Sequence, residues 1–471
     1  MMGRKSGDQD RLFYDVSLDG LVPADHLVRR IDAVLDLAWL RRELAPYYSH
    51  TGRPSIDPEL MVRMLIVGYV FAIRAERQLC SEVQVNMAYR WFCGLGLEDV
   101  IPNHSAFSRA RHDRFREADI LRRVFEAVVE ACLAADLVGG DAFSVDASLI
   151  RADVNQVRRV PGTQADALPG RQRASRAVRE YFEVLDQDSA DGSHDGGPPD
   201  GPRGGPKRKT PPKAVSLTDP LATWIAPRGM ARPLFTYDAN YLIDNKIGVI
   251  VDAEGTRSNR IEENRVAVAM IKRVKDRFDL KPKRLAADTA YGSSKTLKAL
   301  MDHGIEPHVP VWDKSKRTDG TYSRADFRYD AERDIYTCPG GKSLKSTGKV
   351  YSDDTYRYRA STHDCGPCSL KDGCCPNTPA RKIPRDVNED VREHVRALAE
   401  TPAFKRSRDE RKKVEMAFAH MKRILKLDRF RLRGLSGARD EVLLTATAQN
   451  LRKLARYVGR SPPEIEEHCF A

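Results

Sequence analysis

Glu415 is the only carboxylate in the basic stretch Arg411-Lys412-Lys413-Val414-Glu415-Met416-Ala417-Phe418-Ala419-His420-Met421-Lys422. At about 100° per residue, Arg411, Glu415 and Lys422 fall within roughly 40° of one another on a helix. Val414, Phe418, Met421 and Leu425 recur at i, i+4, i+7 and i+11 and form a separate apolar stripe. The spacing predicts a helix that packs on one face and aims Arg, Glu and Lys from the face beside it. Alone, an Arg–Glu pair at i, i+4 is ordinary surface chemistry, worth roughly 0.2–0.5 kcal/mol. Two aspartates in strand-like settings add to it. Asp146 lies in Phe143-Ser144-Val145-Asp146-Ala147-Ser148-Leu149-Ile150, and Asp288 in Leu285-Ala286-Ala287-Asp288-Thr289-Ala290-Tyr291-Gly292. Three carboxylates on neighbouring elements are hard oxygen ligands of the kind that hold Mg²⁺ or Mn²⁺. Paired ions of this type activate the attacking oxygen of a phosphodiester reaction and stabilise the leaving one. Asp146, Asp288 and Glu415 are therefore the expected catalytic and metal-binding residues. Each aspartate by itself reads better as a turn or strand-end cap; the joint pattern carries the expectation.

The charge distribution points to the same chemistry. The 471 residues carry a net charge of +12 and are 41% hydrophobic, enough for two or three domains with sizeable cores. Residues 401–460 hold 17 Lys and Arg against 6 Asp and Glu, so almost the whole excess surrounds Glu415. A patch of that density suits a polyanion, most simply nucleic acid. Arg411 and Lys422 are expected to contact phosphates. The first twenty residues are polar and charged, unlike a signal peptide. The apolar run from Leu60 to Ile73 is short and contains Arg63, so it reads as a buried helix and no membrane span is expected. Nine cysteines in a chain this long do not suggest a secreted disulfide scaffold, and a cytoplasmic setting follows.

Residues 1–139 read as all-helical. Asp57-Pro58-Glu59 opens a helix that runs to about Ile73, with an N-cap, a proline at the first position and an acid in the first turn. A single helix is expected from Arg77 to Cys93, and another from Asp119 to Ala135. Ser105 is expected to cap Ala106 to Phe115. The stretch Ser105 to Arg116 carries Arg109, Arg111, Arg114 and Arg116, which makes it a candidate recognition helix, with Arg109 and Arg111 as DNA contacts. From residue 140 the texture changes. Asp141 to Ile150 is strand-like, Ser175 to Leu185 a short helix, and residues 186–213, rich in Gly, Pro, Asp and Ser, a flexible insertion. Leu234 to Ile243 and Ile247 to Ala253 read as a hairpin. An amphipathic helix from Ile261 to Phe278, a strand from Lys283 to Ala287, a helix from Ser293 to His303 and a strand from Glu306 to Val311 follow. The long Glu415 helix and a last helix from Asp440 to Val458 close the order. An antiparallel hairpin followed by βαβ units predicts an α/β domain over residues 140–471, with a mixed sheet flanked by helices.

Residues 312–385 interrupt that domain and carry five cysteines. Cys365-Gly366-Pro367-Cys368 is a C-x-x-C, Cys338 precedes it, and Cys374 and Cys375 follow. Cys338, Cys365, Cys368 and either Cys374 or Cys375 could close a tetrahedral Zn²⁺ site that staples an insertion with little core of its own. Reduced structural thiols are the equal alternative.

These motifs, in this order, resemble bacterial insertion-sequence transposases of the DDE class, which have a ribonuclease H-like catalytic core. One subgroup has the signature Tyr-x2-Arg-x3-Glu-x6-Lys. Arg411, Glu415 and Lys422 match its spacing, while Arg408 stands at the tyrosine position and joins them as an expected DNA contact. Ser216-Leu217-Thr218-Asp219-Pro220, Asn240-Tyr241-Leu242-Ile243-Asp244 and Gly52-Arg53-Pro54-Ser55-Ile56-Asp57-Pro58 also resemble this group, over about residues 10 to 458. The resemblance implies a ribonuclease H-like domain, preceded by a helical DNA-binding domain and interrupted by a β-type insertion between Asp288 and Glu415. It implies binding of double-stranded DNA at the element's terminal inverted repeats, cleavage there, and joining of the freed ends to target DNA. Two ends held together imply at least a homodimer. The enzyme would be nucleoid-associated when bound. Two rival readings share these residues: a metal-dependent nuclease without strand transfer, and a DNA-binding regulator or decayed transposase without catalysis.

Overall fold

A computed structural model describes residues 17–48, 51, 55–190, 212–226, 232–312 and 320–458. Its central sheet has six strands: β1 (Ala142–Arg151), β2 (Thr223–Ile225), β3 (Leu234–Asp244), β4 (Ile250–Arg257), β5 (Arg284–Ala286) and β6 (Glu306–His308). β1 lies between antiparallel β3 and parallel β5, and β6 extends the sheet parallel to β5. β2 and β4 pair with successive parts of the far edge of β3. The parallel half needs crossovers, and the helices Arg260–Phe278 and Ser294–Asp302 supply them. Ten of the eleven residues of β3 are buried, as both faces of this strand are covered. Tyr237, Ala239, Tyr241 and Ile243 meet one apolar cluster, while Leu242 meets another that includes Ala267, Met270 and Val274 of the crossover helix. The last helix, Gly434–Tyr457, crosses β4 closely. A Cβ on Gly255 would lie 2.9 Å from the Arg439 amide, so only glycine fits there.

The amino-terminal segment is helical. Asp57 caps Pro58–Val70, accepting from the amides of Glu59 and Leu60. The expected Arg77–Cys93 helix is two helices, Glu76–Val85 and Met87–Phe92. Asn86 divides them because its side chain caps the second, accepting from the Ala88 and Tyr89 amides. The arginine-bearing helix starts one residue before Ser105, at His104. Asn103 is its cap, and the chain continues as a π-helical turn over Arg111–Phe115. These helices share a core with the sheet and the last helix. Met61, Leu65, Phe107 and Phe125 belong to the same apolar cluster as Tyr237 and Tyr241 of β3 and Leu444 of the last helix.

Three further boundaries differ from expectation. The helix after Ser175 runs Arg176–Ala190, so residues 186–190 are helical; residues 191–211 of the expected flexible insertion lie outside the described residues. The long Glu415 helix is two helices, Pro402–Glu410 and Lys412–Arg423, meeting at Arg411. The last helix begins at Gly434, six residues early, where the Asp219 carboxylate accepts from the Gly434 amide at 2.9 Å. Gly52, Arg53 and Pro54 also lie outside the described residues. Between Asp288 and Glu415 the chain forms a separate five-stranded antiparallel sheet. Its strands are Arg328–Asp330, Ile335–Thr337, Ser343–Lys345, Thr355–Arg359 and Lys382–Asp386, adjacent in chain order. Phe327, Tyr336, Leu344, Tyr358 and Ile383 form a small core beneath it, closed by Cys374 and Cys375.

Candidate active site

β1 and β5 run parallel and pair at Ser144 and Ala286. Asp146 and Asp288 each lie two residues beyond that pair, Asp146 within β1 and Asp288 just past the end of β5, toward the same sheet end. Side chains alternate along a strand, so Asp146 shares a face with Ser144, Ser148 and Ile150. The helix Lys412–Arg423 packs against β1 and brings Glu415 over this end. Val414, Ala417, Phe418 and Met421 are its buried residues, and the Tyr241 ring stacks on Phe418 at 4.9 Å. The apolar stripe read from the sequence is therefore what seats Glu415.

Arg411 connects two of the carboxylates. Its Nη1 lies 3.1 Å from Asp146 Oδ2 and its Nη2 lies 2.7 Å from Glu415 Oε1. Asp288 caps the short turn Thr289–Tyr291, accepting from the Ala290 amide at 2.7 Å. Burial pushes the Asp146 carboxyl up to about 6, and the charges of Asp288 and Glu415 add to the shift. The Ala147 amide, 2.8 Å from Asp146 Oδ1, and the Arg411 guanidinium oppose it. Asp146 thus feels the charge of both other acids, and the Arg411 guanidinium sits between it and Glu415.

A fourth acid escaped the sequence reading. Burial lifts Glu263 to about 7, followed by the charge of Asp238; Asp288 and Asp146 contribute as well. Asp238 is itself raised to about 6 by burial, against a 2.9 Å hydrogen bond from Ser258 Oγ. Glu263 stands in the first turn of Arg260–Phe278, where an acid ordinarily answers the helix dipole. Nothing in its spacing set it apart.

The expected DNA contacts are placed unequally. Arg408 and Arg109 are exposed. Lys422 is half-buried, and burial lowers its ammonium pKa. Arg111 is not presented to solvent: it is buried, with Nη1 2.6 Å from Glu76 Oε1. Arg116 pairs with Asp440 at 2.8 Å, and Arg114 stacks on Tyr48 at 4.4 Å. Most of this arginine row is thus used inside the protein, because an arginine on a short amphipathic helix can bridge to a neighbour.

Cys338, Cys365, Cys368, Cys374 and Cys375 line one small cavity. The Lys342 amide donates to Cys338 Sγ at 3.3 Å, and a Cβ on Gly340 would lie 3.7 Å from Cys338 Sγ and 3.8 Å from Cys368 Sγ. Among the described residues, no group of three or more His, Cys, Asp or Glu side chains has the spacing of a metal site. The three carboxylates nevertheless supply the donor chemistry of a divalent-cation site, hard oxygens of like charge, with Asp146 and Asp288 partly buried and Glu415 exposed.

Two family models match the chain: a transposase domain (DUF772) over residues 16–113 and a transposase DDE domain over residues 337–455. No curated protein and no solved structure matches it. The two matches support an insertion-sequence DDE transposase. The second spans the cysteines, Arg411, Glu415 and Lys422; Asp146 and Asp288 lie outside both. Among the described residues no helix is long and apolar enough to cross a membrane.

Proposed function

We propose that this protein cuts the ends of its own insertion sequence and joins them to target DNA, with Asp146, Asp288 and Glu415 as the ligands of Mg²⁺ or Mn²⁺. The observation that carries this reading is the Arg411 bridge between Asp146 and Glu415, at a sheet end where the charges of Asp288 and Glu415 both reach Asp146. A sheet with antiparallel β3 and β4 on one side of β1 and parallel β5 and β6 on the other supports a ribonuclease H-like core. Paired divalent ions would supply activation of the attacking oxygen and stabilisation of the leaving one. The chain's own part is to hold the ligands at fixed spacing and to keep the DNA strand across them. Arg411 and Lys422, at signature positions, and Arg408, which replaces the signature's tyrosine, hold phosphates; exposed Arg109 reads the ends. On this division, Lys422→Ala reduces the slope of log K against log salt by about one unit on any DNA. A change in sequence preference with an unaltered slope would refute that role. Domains at 1–139 and 140–471, with the insertion at 312–385, belong to the same reading. The proposal keeps structural Zn²⁺ on Cys338, Cys365, Cys368 and either Cys374 or Cys375, which elemental analysis of pure protein tests directly. Two ends in one complex call for at least a dimer.

The test is incubation of full-length protein with its own element's end DNA, target DNA and Mg²⁺. Joined products are expected. Nicks without joining would leave a nuclease, and binding without nicks a regulator or decayed enzyme.

A further inference from the structure

A polar network ties together the elements that carry the three acids, and Glu410 is its centre. Glu410 ends the helix Pro402–Glu410, one residue before Arg411. Its Oε2 accepts from Asn245 Nδ2 at 3.2 Å, and both its oxygens accept from Arg284 Nη2, at 3.2 and 3.0 Å. Asn245 follows β3 and is buried. Its Oδ1 accepts from Ser144 Oγ at 2.8 Å, and its amide donates to the Ala142 carbonyl at 2.9 Å. Ser144 lies two residues before Asp146 on β1. Arg284 opens β5, four residues before Asp288, and its Nε donates to Ser407 Oγ at 3.0 Å. The network runs on from there. Ser407 Oγ lies 2.6 Å from His308 Nδ1, and His308 Nε2 lies 2.6 Å from Glu306 Oε1.

Ser407, His308 and Glu306 have the types and spacing of a nucleophilic triad. Ser407 is fully buried, however, and Arg284 donates to its hydroxyl, so no substrate reaches it. Together they form a strut between β6 and the helix Pro402–Glu410. Lys413 adds a second tie, since its ammonium donates to the Asn245 and Lys246 carbonyls two residues before Glu415.

We propose that Glu410 is a positioning residue. Through Asn245 and Arg284 it fixes the Arg411 joint, and with it Glu415, against the strands that lead to Asp146 and Asp288. This rests on the metal-site reading above. An ordinary, partly exposed ion pair would matter only for stability, and little there. A positioning residue must instead change how the acids hold a metal, because partners behind the ligands set ligand orientation.

The experiment compares full-length protein with Glu410→Ala, Glu410→Gln, Arg284→Lys and the control Asp146→Asn. It measures the Mg²⁺ dependence of end-DNA cleavage, the affinity for end DNA without metal, and the melting temperature. Glu410→Ala is expected to raise the half-saturating Mg²⁺ by about 10- to 100-fold, the range for outer partners of metal ligands. DNA affinity and melting temperature should stay near wild type. Glu410→Gln, which keeps an acceptor, should recover part of the loss. An unchanged Mg²⁺ requirement in Glu410→Ala overturns the proposal. So does a rise that only tracks a fall in melting temperature. If Glu410→Ala does not fold, Arg284→Lys, which keeps the charge on β5 but loses the fork, must show the raised requirement. Normal cleavage by Asp146→Asn would instead bring down the metal-site reading, and this inference with it.

Discussion

Arg411 donates to Asp146 across 3.1 Å, joining residues 265 positions apart. The same guanidinium reaches Glu415, so it stands where a cation between the two acids would stand. Arg411 and a divalent ion then compete for one pair of carboxylates. Arg411→Ala should tighten Mn²⁺ binding to the DNA-free protein by about 3- to 5-fold, because a partly exposed ion pair is worth up to about 1 kcal/mol. Cleavage should fall in the same variant, as a phosphate contact is lost. Calorimetric titration with Mn²⁺ checks the first half; weaker binding in Arg411→Ala would show the arginine supporting the ligands and not competing with the ion.

Arg74 and Glu441 form an ion pair with side chains 4% and 0% exposed. Arg74 also donates to the carbonyls of Lys426 and Arg429, at 2.6 and 2.8 Å. It therefore pins the amino-terminal helices to the loop before the last helix. Arg74→Ala leaves a buried carboxylate and should destabilise the protein by about 3–5 kcal/mol, the usual cost of removing one partner. Denaturant unfolding measures this; a loss below about 1 kcal/mol would place the pair in effective contact with solvent. The shared core carries a further consequence. Deletion of residues 1–139 should strip apolar cover from β3 and the last helix, giving aggregated protein in place of an isolated catalytic domain.

Asp219 shows how one familiar-looking motif earns its place structurally. Burial pushes its carboxyl up to about 6, against hydrogen bonds from Tyr237 Oη at 2.6 Å and the Gly434 amide at 2.9 Å. The folded-state value lies above the ordinary 3.8, so the stabilising contribution is complete below pH 4 and is lost as pH rises through about 6. Integrated over that window the change is up to about 3 kcal/mol. Asp219→Asn removes the titration. The stability difference between wild type and Asp219→Asn should therefore shift against the wild type between pH 4 and pH 7. A difference independent of pH would mean that Asp219 stays ionised.

Much of this arrangement was legible in the chain because period and chemistry coincide. The Val414–Leu425 stripe announced which face of the Glu415 helix is buried, and the hairpin before the βαβ units announced the mixed sheet. The break at Arg411 was not legible. Both flanking segments have helical composition, and Arg411 between them keeps right-handed helical dihedrals. The inward turn of Arg111 was hidden for a similar reason, since Glu76, its partner, lies 35 residues earlier on another helix. Glu263 and Glu410 look like ordinary surface acids in sequence. Their neighbours are brought by β3 and β5, and pairing across strands leaves no local trace.

The central claim is that Asp146, Asp288 and Glu415 act as one metal-holding unit. Single changes of each to Ala, assayed for cleavage of end DNA in Mg²⁺ beside binding of the same DNA without metal, test it most directly. All three variants should lose cleavage while binding stays within a few-fold of wild type, because phosphate contacts come from lysines and arginines. A variant that still cuts at near the wild-type rate would remove that residue from the site and contradict the account.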